Sequence, residues 1–227
     1  MCLNRLLNVI SYIIPTIEYL DEPWGIKDTG SRHVFMNNSA RLYTSTHTRF
    51  DLEGKYDCEF PTSWADYADD FMMHDKLAEK STQSVIVIET DFWYNSSYLV
   101  PYISSKIPLR NKEGICVGTL WNARRIKVVS PLVFIGEKKP SVLQTSVDED
   151  MFTKAELDII FFLLKRLSRK EIANCLNLST KTIDNSIQNM YRKCDVHSLS
   201  QFESYCRELN LHDFVPSRLL NKGILFI

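Results

Sequence analysis

Residues 153–198 contain four places where a short polar side chain precedes an amphipathic run. Thr153 stands three residues before Glu156, Ser168 three before Glu171, and Ser198 three before Gln201. In each pair the hydroxyl can accept the free amide of the third helical residue, while the longer side chain reaches back to the cap's own N–H. Ser179 is a fourth cap without that acidic return. Starts this closely spaced leave room only for short helices. They predict helices near 154–166, 169–176, 180–194 and 199–209, and nothing after Phe152 reads as strand until the last few residues.

The apolar residues agree with one shared core. Leu157, Ile160, Phe161 and Leu164 recur on one face of the first helix, and Ile172, Ala173 and Leu176 on one face of the second. Ile183, Ile187, Met190 and Cys194 line the third at spacings of 4, 3 and 4. Lys181, Asn185, Gln188 and Arg192 repeat that spacing with an offset of two residues, about 200° around the helix. The third helix therefore carries a polar face opposite its core face. Asn and Gln can pair with adenine edges, and Lys and Arg with guanine or phosphate. The helix start offers free amides to a phosphate, beside the Ser179, Thr180 and Thr182 hydroxyls. Lys181, Asn185 and Gln188 are the expected base readers, and Arg192 and Lys193 the expected phosphate contacts. The formal net charge of the chain is −1, yet residues 165–193 hold seven cations against two acids, Glu171 and Asp184. A local basic cluster beside an acidic half fits a nucleic-acid-binding module joined to something else.

The stretch from Phe152 to about residue 210 resembles the LuxR/GerE-type helix-turn-helix, a four-helix DNA-binding domain. Thr153, Glu156, Glu171, Ile172, Ala173, Leu176, Ser179, Thr182, Ile183, Met190, Tyr191, Lys193 and Val196 match that pattern at its spacing. Three positions depart from it. Asp184 stands where the family often has lysine, Ser186 where histidine is common, and Asp195 where glycine precedes the final valine. An acid beside the DNA backbone adds repulsion. Two readings of Asp184 stay open: it selects cytosine by accepting from the N4 amine, or it marks DNA binding that is weak without a partner or an activating state. The resemblance also implies a dimer contact on the fourth helix, carried by Phe202, Tyr205 and Leu209.

Residues 1–150 have a different texture. Leu3, Leu6, Leu7, Ile10, Ile13 and Ile14 share one face of an amphipathic helix broken by Pro15. It is too short to span a bilayer and lacks a small-residue cleavage site. It is expected either to pack on its own domain or, through Leu6 and Ile10, to join a dimer. "EPWGIKD" and "RHVFMN" read as two strands joined by a turn, "SARLYTSTHTRF" as a short helix and loop, and "FPTSWADYADDFMMHDKLAEKS" as helical, with Trp64, Tyr67, Ala68, Phe71 and Met72 in a stripe. Three β-rich runs follow, the last two joined at "NKEG". This order is not the βαβα alternation of a parallel sheet, so an antiparallel sheet with helices on one face is expected.

Residues 16–126 resemble a PAS domain, with Asp75 as the Asp that opens a helix before the central strand and Gly114 and Gly118 in the final hairpin. The resemblance implies a five-stranded antiparallel sheet cupping a cavity for a small ligand. Trp24, Trp64, Tyr67, Phe71, Trp93, Tyr102 and Trp121 are the candidate lining, with a plain aromatic core as the other reading. His74 reads as a surface histidine rather than a haem ligand. No photosensor cysteine motif is present, and "WADYADD" has the wrong spacing for a lactone sensor. No phosphate loop, nucleophile elbow, zinc-protease motif or carboxylate dyad appears, so no enzyme, metal or cofactor is expected beyond an unidentified small ligand.

The expected architecture is α+β. It has a helix at 1–15, a PAS-like sensor or dimerisation domain at 16–129, a linker at 130–150 and a helix-turn-helix domain with tail at 151–227. Six scattered cysteines without a C-x-x-C pair fit a reducing cytoplasm. The pairing resembles PAS–LuxR regulators, including the TraJ type. It implies a homodimeric transcription regulator of double-stranded DNA, with RNA polymerase or another regulator as a further partner. The rival reading is a signal-binding or protein-interaction co-regulator whose DNA binding is weak or lost.

Overall fold

The computed structural model describes residues 6, 9–128, 141–147 and 151–227. Leu3 and Leu7 of the expected N-terminal face, and most of the expected linker, lie outside the described residues. The chain divides into two units: residues 1–126 with 221–227, and residues 127–220.

In the first unit a short helix, α1 (Ile13–Ile17), leads into β1 (Trp24–Asp28), β2 (His33–Met36), α2 (Asn38–Tyr43) and α3 (Ala68–Lys80). Then come β3 (Val85–Asp91), β4 (Val100–Arg110) and β5 (Cys116–Arg125). These strands pair antiparallel in the order β2-β1-β5-β4-β3, a PAS-like sheet. Asn37 caps α2 and also ties three carbonyls of the preceding loop, at Ile17, Leu20 and Glu22.

One face of the sheet packs against the N-terminal segment. Leu6, Ile10 and Ile17 are buried with Ile26, Leu109 and Val117. Leu6 and Ile10, expected as dimer contacts, are 1% and 2% exposed within their own unit and offer no free surface. The other face packs an aromatic cluster under α2, α3 and the 3-10 turn at Ser63–Tyr67.

Three expectations about α3 are corrected. Met72 of the expected stripe is exposed, whereas His74 and Asp75 are both fully buried. Asp75 sits inside the helix rather than opening it. The reason is polar: both side chains find partners beneath the helix, described below.

The second unit contains a two-stranded ladder of β6 (Lys127–Val128) with β7 (Ser141–Val142), then four helices. These are α4 (Lys154–Leu164), α5 (Arg169–Leu176), α6 (Thr180–Lys193) and α7 (Leu199–Glu208). Thr153, Ser168, Ser179 and Ser198 cap them, each accepting the amide three residues on. Ile160, Ile172, Ile183, Ile187, Met190 and Phe202 are buried at one centre. In α4 the buried set is wider than expected, taking in Ile159 and Leu163, and Asp158 is buried against Arg218. Phe202, expected at a dimer contact, is fully buried in this core, while Tyr205 and Leu209 are partly buried against it.

The last residues were expected with the helical domain. Instead β8 (Gly223–Phe226) pairs antiparallel with β3 and adds a sixth strand to the first unit.

Candidate functional site

In the second unit, Ile183, Ile187 and Met190 hold α6 against the core, so its opposite face is left to solvent. Lys181, Asn185, Gln188 and Arg192 are exposed along that face, with the Ser179, Thr180 and Thr182 hydroxyls exposed at its start. Ser179 Oγ accepts the Thr182 amide at 3.0 Å and lies 2.8 Å from the Thr182 hydroxyl, which fixes the helix start. The turn before it depends on Asn177, which ends α5 in the left-handed region at φ +53°. Asn is among the few residues that take this conformation at low cost.

Two expected contacts lie differently. Lys193 donates to Glu156 Oε2 at 2.7 Å and to the Met151 carbonyl at 3.0 Å, so it braces α4 rather than facing outward alone. Asp184 lies on the flank of the exposed polar face, where Arg169 at the start of α5 pairs with it at 2.6 Å. Arg169 was not among the expected DNA contacts, because its neighbour comes from another helix.

A second candidate site lies in the first unit, where sequence reasoning expected part of the aromatic lining but missed the charged wall. Alternation along the strands turns Lys27, Glu89, Ser104, Lys106 and Trp121 toward α3, where they enclose a cavity of about 30 Å³. His33, Met36, Tyr43, Thr44, Asp57, Trp64, Phe71 and Trp93 complete its wall. Of the expected lining, Trp64, Phe71, Trp93 and Trp121 are brought together here. Trp24 lies in the cluster on the other face, Tyr67 is half-buried, and Tyr102 is buried behind Tyr43 at 4.9 Å between rings. Trp121 lies flat on β1 because its cross-strand partner is Gly25, where a Cβ would come 2.4 Å from the indole.

Charged groups form a continuous chain in this wall. His33 Nε2–H donates to Asp57 at 2.9 Å. Lys27 donates to Asp57 at 2.5 Å and to Asp75 at 3.2 Å. Lys106 bonds the other oxygen of Asp75 and donates to the Phe71 carbonyl at 2.9 Å. Buried charges survive when each is paired and hydrogen-bonded, as here. Burial penalises the Lys27 ammonium, but Asp57 and Asp75 outweigh that and raise its pKa. Burial wins at Lys106, which is lowered despite Asp75. Both aspartates stay ionised: burial works against them, and the lysines pull both below the usual carboxylate range. Burial, then the charge of Lys27, lowers His33. Burial and Lys106 bring His74 down to about 3, while its Nε2–H donates to the Val85 carbonyl at 2.9 Å.

At the far side Tyr43 donates to Glu89 Oε2 at 3.1 Å and stacks on Trp93 at 4.3 Å. Burial raises Glu89 and lifts Tyr43 well above the phenol value. Two polar atoms of the lining residues, His33 Nδ1 and Trp121 Nε1, have no protein hydrogen-bond partner among the described residues. The wall thus offers stacking surfaces, fixed ammonium donors and neutral partners to a small polar guest.

Residues 150–205 match the family model described as bacterial regulatory proteins, luxR family. The helical unit is a LuxR-type helix-turn-helix. Residues 150–205 therefore form a DNA-binding module of the kind found in bacterial regulators, and a PAS-like sheet unit precedes it in the chain. VqmA of Vibrio cholerae, solved with ligand and DNA, shares the fold at a TM-score of 0.75 and 21% identity over 96% of each chain. A phage VqmA, solved with DPO, does so at 0.70 and 22% over 100% of each chain. No curated protein sequence matches the chain. Among the described residues no helix is long and apolar enough to cross a membrane.

Proposed function

We propose that this regulator binds a specific DNA sequence as a homodimer and that a small polar ligand in the PAS-like cavity adjusts its activity. The observation that carries the DNA half is the exposed face of α6. Lys181, Asn185 and Gln188 reach base edges from its first turns, Ser179, Thr180 and Thr182 hold the adjacent phosphate, and Arg192 meets the backbone further on. A dimer doubles a single-helix half-site into a usable site. Of the expected contacts, Tyr205 and Leu209 keep partly exposed surface for it.

The Arg169–Asp184 pair bears on the open readings of Asp184. A carboxylate already matched by a guanidinium repels phosphate less than a bare one, and Oδ1 is engaged by Arg169 while Oδ2 keeps its acceptor capacity. This supports retained DNA binding over a decayed tail.

The ligand half rests on the cavity's composition: five large aromatic rings around paired lysines, a histidine and a neutral-leaning glutamic acid. That set suits a small planar molecule with both donors and acceptors, and the DPO of the phage VqmA complex is the first compound to try. The cavity, about 30 Å³, holds roughly one or two waters, so a guest of that kind requires the wall to move. Adding DPO to the purified chain is expected to raise its melting temperature, and Lys106→Met to abolish the shift. No shift in the wild-type chain with DPO, and no small molecule retained on native mass spectrometry, would defeat the ligand half. The DNA half is tested separately by fluorescence anisotropy.

A further inference from the structure

The edge of β3 carries a strand that arrives from the far end of the chain. Phe226 pairs with Val87, Leu225 with Ile88, Ile224 with Glu89 and Gly223 with Thr90. Because strand side chains alternate, Ile224 and Phe226 turn inward, while Leu225 and Ile227 stay 60% and 70% exposed. Ile224 packs against the aromatic cluster, beside Glu89 of the cavity wall. Phe226 meets the His74 ring edge-on, with centroids 6.1 Å apart.

The strand is fixed at its start by a built ammonium socket. Lys222 Nζ donates to the Ser63 carbonyl at 3.0 Å, lies 3.4 Å from Asp91 Oδ2, and sits 5.2 Å above the Tyr67 ring. A buried carboxylate, a carbonyl and an aromatic face are the groups that recognise a primary ammonium. The chain then turns at Gly223 with φ +133°, a conformation that L side chains rarely adopt, and a Cβ there would stand 3.3 Å from Tyr67. Lysine, glycine and two inward apolar residues therefore each meet a matching feature of the edge.

We propose that this edge is a strand-binding groove of the PAS-like unit, and that residues 221–227 are its displaceable cis ligand, coupled to the cavity through Glu89 and His74. A four-residue strand on a sheet edge is the kind of element that opens at low free energy. Its departure uncovers Glu89 from the side and removes Phe226 from His74, which is next to Asp75 in the buried charge chain. The proposal builds on the cavity being the ligand site, but its test contains no ligand.

Hydrogen exchange of the full chain reads the tail directly. In the wild type, amides of residues 223–226 should exchange as a group, faster than the paired amides of β4 and β5 and slower than a free peptide. Lys222→Ala should speed that group several-fold and leave β4–β5 unchanged. Tyr43→Phe and Glu89→Gln, neither of which alters a tail residue, should speed it as well, with β4–β5 protection confirming that each variant is folded. Tail amides that exchange like a free peptide in the wild type would overturn the groove. Tail amides that respond to Lys222→Ala but to neither cavity substitution would overturn the coupling. Tail amides as slow as β4–β5 in every variant would overturn the displaceability.

Discussion

Arg169 Nε stands 2.6 Å from Asp184 Oδ1, joining the start of α5 to α6, the two helices of the helix-turn-helix. Both side chains are about half exposed. An exposed pair of this kind adds at most about 1 kcal/mol to stability. Its effect on a phosphate-facing surface is larger, because the unpaired acid repels DNA. Arg169→Ala should therefore weaken DNA binding by about tenfold with little change in melting temperature. Asp184→Asn should leave binding intact or strengthen it, with a steeper salt dependence. Anisotropy across a salt series measures both. Tighter binding by Arg169→Ala would show that the pair blocks DNA rather than serving it.

Asp195 takes φ +53°, the left-handed region, just after α6. This is the position where relatives by resemblance hold glycine, and the geometry explains that preference. Asp195→Gly should stabilise the chain by about 0.5–1 kcal/mol, the typical cost of a non-glycine residue there less the added chain entropy. Thermal unfolding of the full chain would read this as a rise of a few degrees. A fall would show that the aspartate side chain contributes more than its backbone costs.

Gly25 faces the Trp121 indole so closely that no side chain fits between them. Gly25→Ala should cost about 1–3 kcal/mol through overpacking. It should also shift the tryptophan fluorescence while leaving DNA affinity of the folded protein near wild type. Unchanged fluorescence and stability would place the Trp121 ring elsewhere.

His33 and His74 are buried in their neutral form, both with lowered pKa values, His74 at about 3. A histidine whose folded pKa lies below its unfolded value, 6.5, gives stability that is full above that value and is lost as pH falls toward the folded one. Glu89 acts in the opposite sense. Its raised pKa gives stability that is present below the unfolded glutamate value and is lost as pH rises through the folded one. Two histidines outweigh one glutamate, so the melting temperature should drop between about pH 6.5 and pH 4, by on the order of a few kcal/mol of lost stability. His74→Gln should flatten that slope. A melting temperature that holds steady over this range would contradict neutral burial.

The helical unit was legible because its signals are local: each cap and its return lie three residues apart, and each apolar face repeats within one helix. The Arg169–Asp184 pair was not, since its partners belong to different helices. In the PAS-like unit the strands were readable from their runs. The chemistry of the cavity was not, because its bonds join distant segments: Lys27 meets Asp57 across 30 positions and Asp75 across 48. One signal was available. Lys27, Glu89 and Lys106 each interrupt an apolar strand at an inward position, which is costly unless a buried partner awaits. His74 read as a surface residue because a lone histidine in a helix gives no sign of the carbonyl it will meet. The last residues read as strand-like, but an edge strand's partner is set by the fold and not by its own sequence.

The central claim, that α6 reads DNA, is tested most directly by anisotropy on duplexes selected from a randomised pool, with wild type, Gln188→Ala and Arg192→Ala compared over a salt series. The wild type should bind with strong salt dependence. Gln188→Ala should lose about 1–3 kcal/mol on the selected duplex and little on random DNA. Arg192→Ala should weaken both alike and lower the salt slope by about 0.9. Salt-insensitive wild-type binding, or variants indistinguishable from it on the selected duplex, would contradict the account.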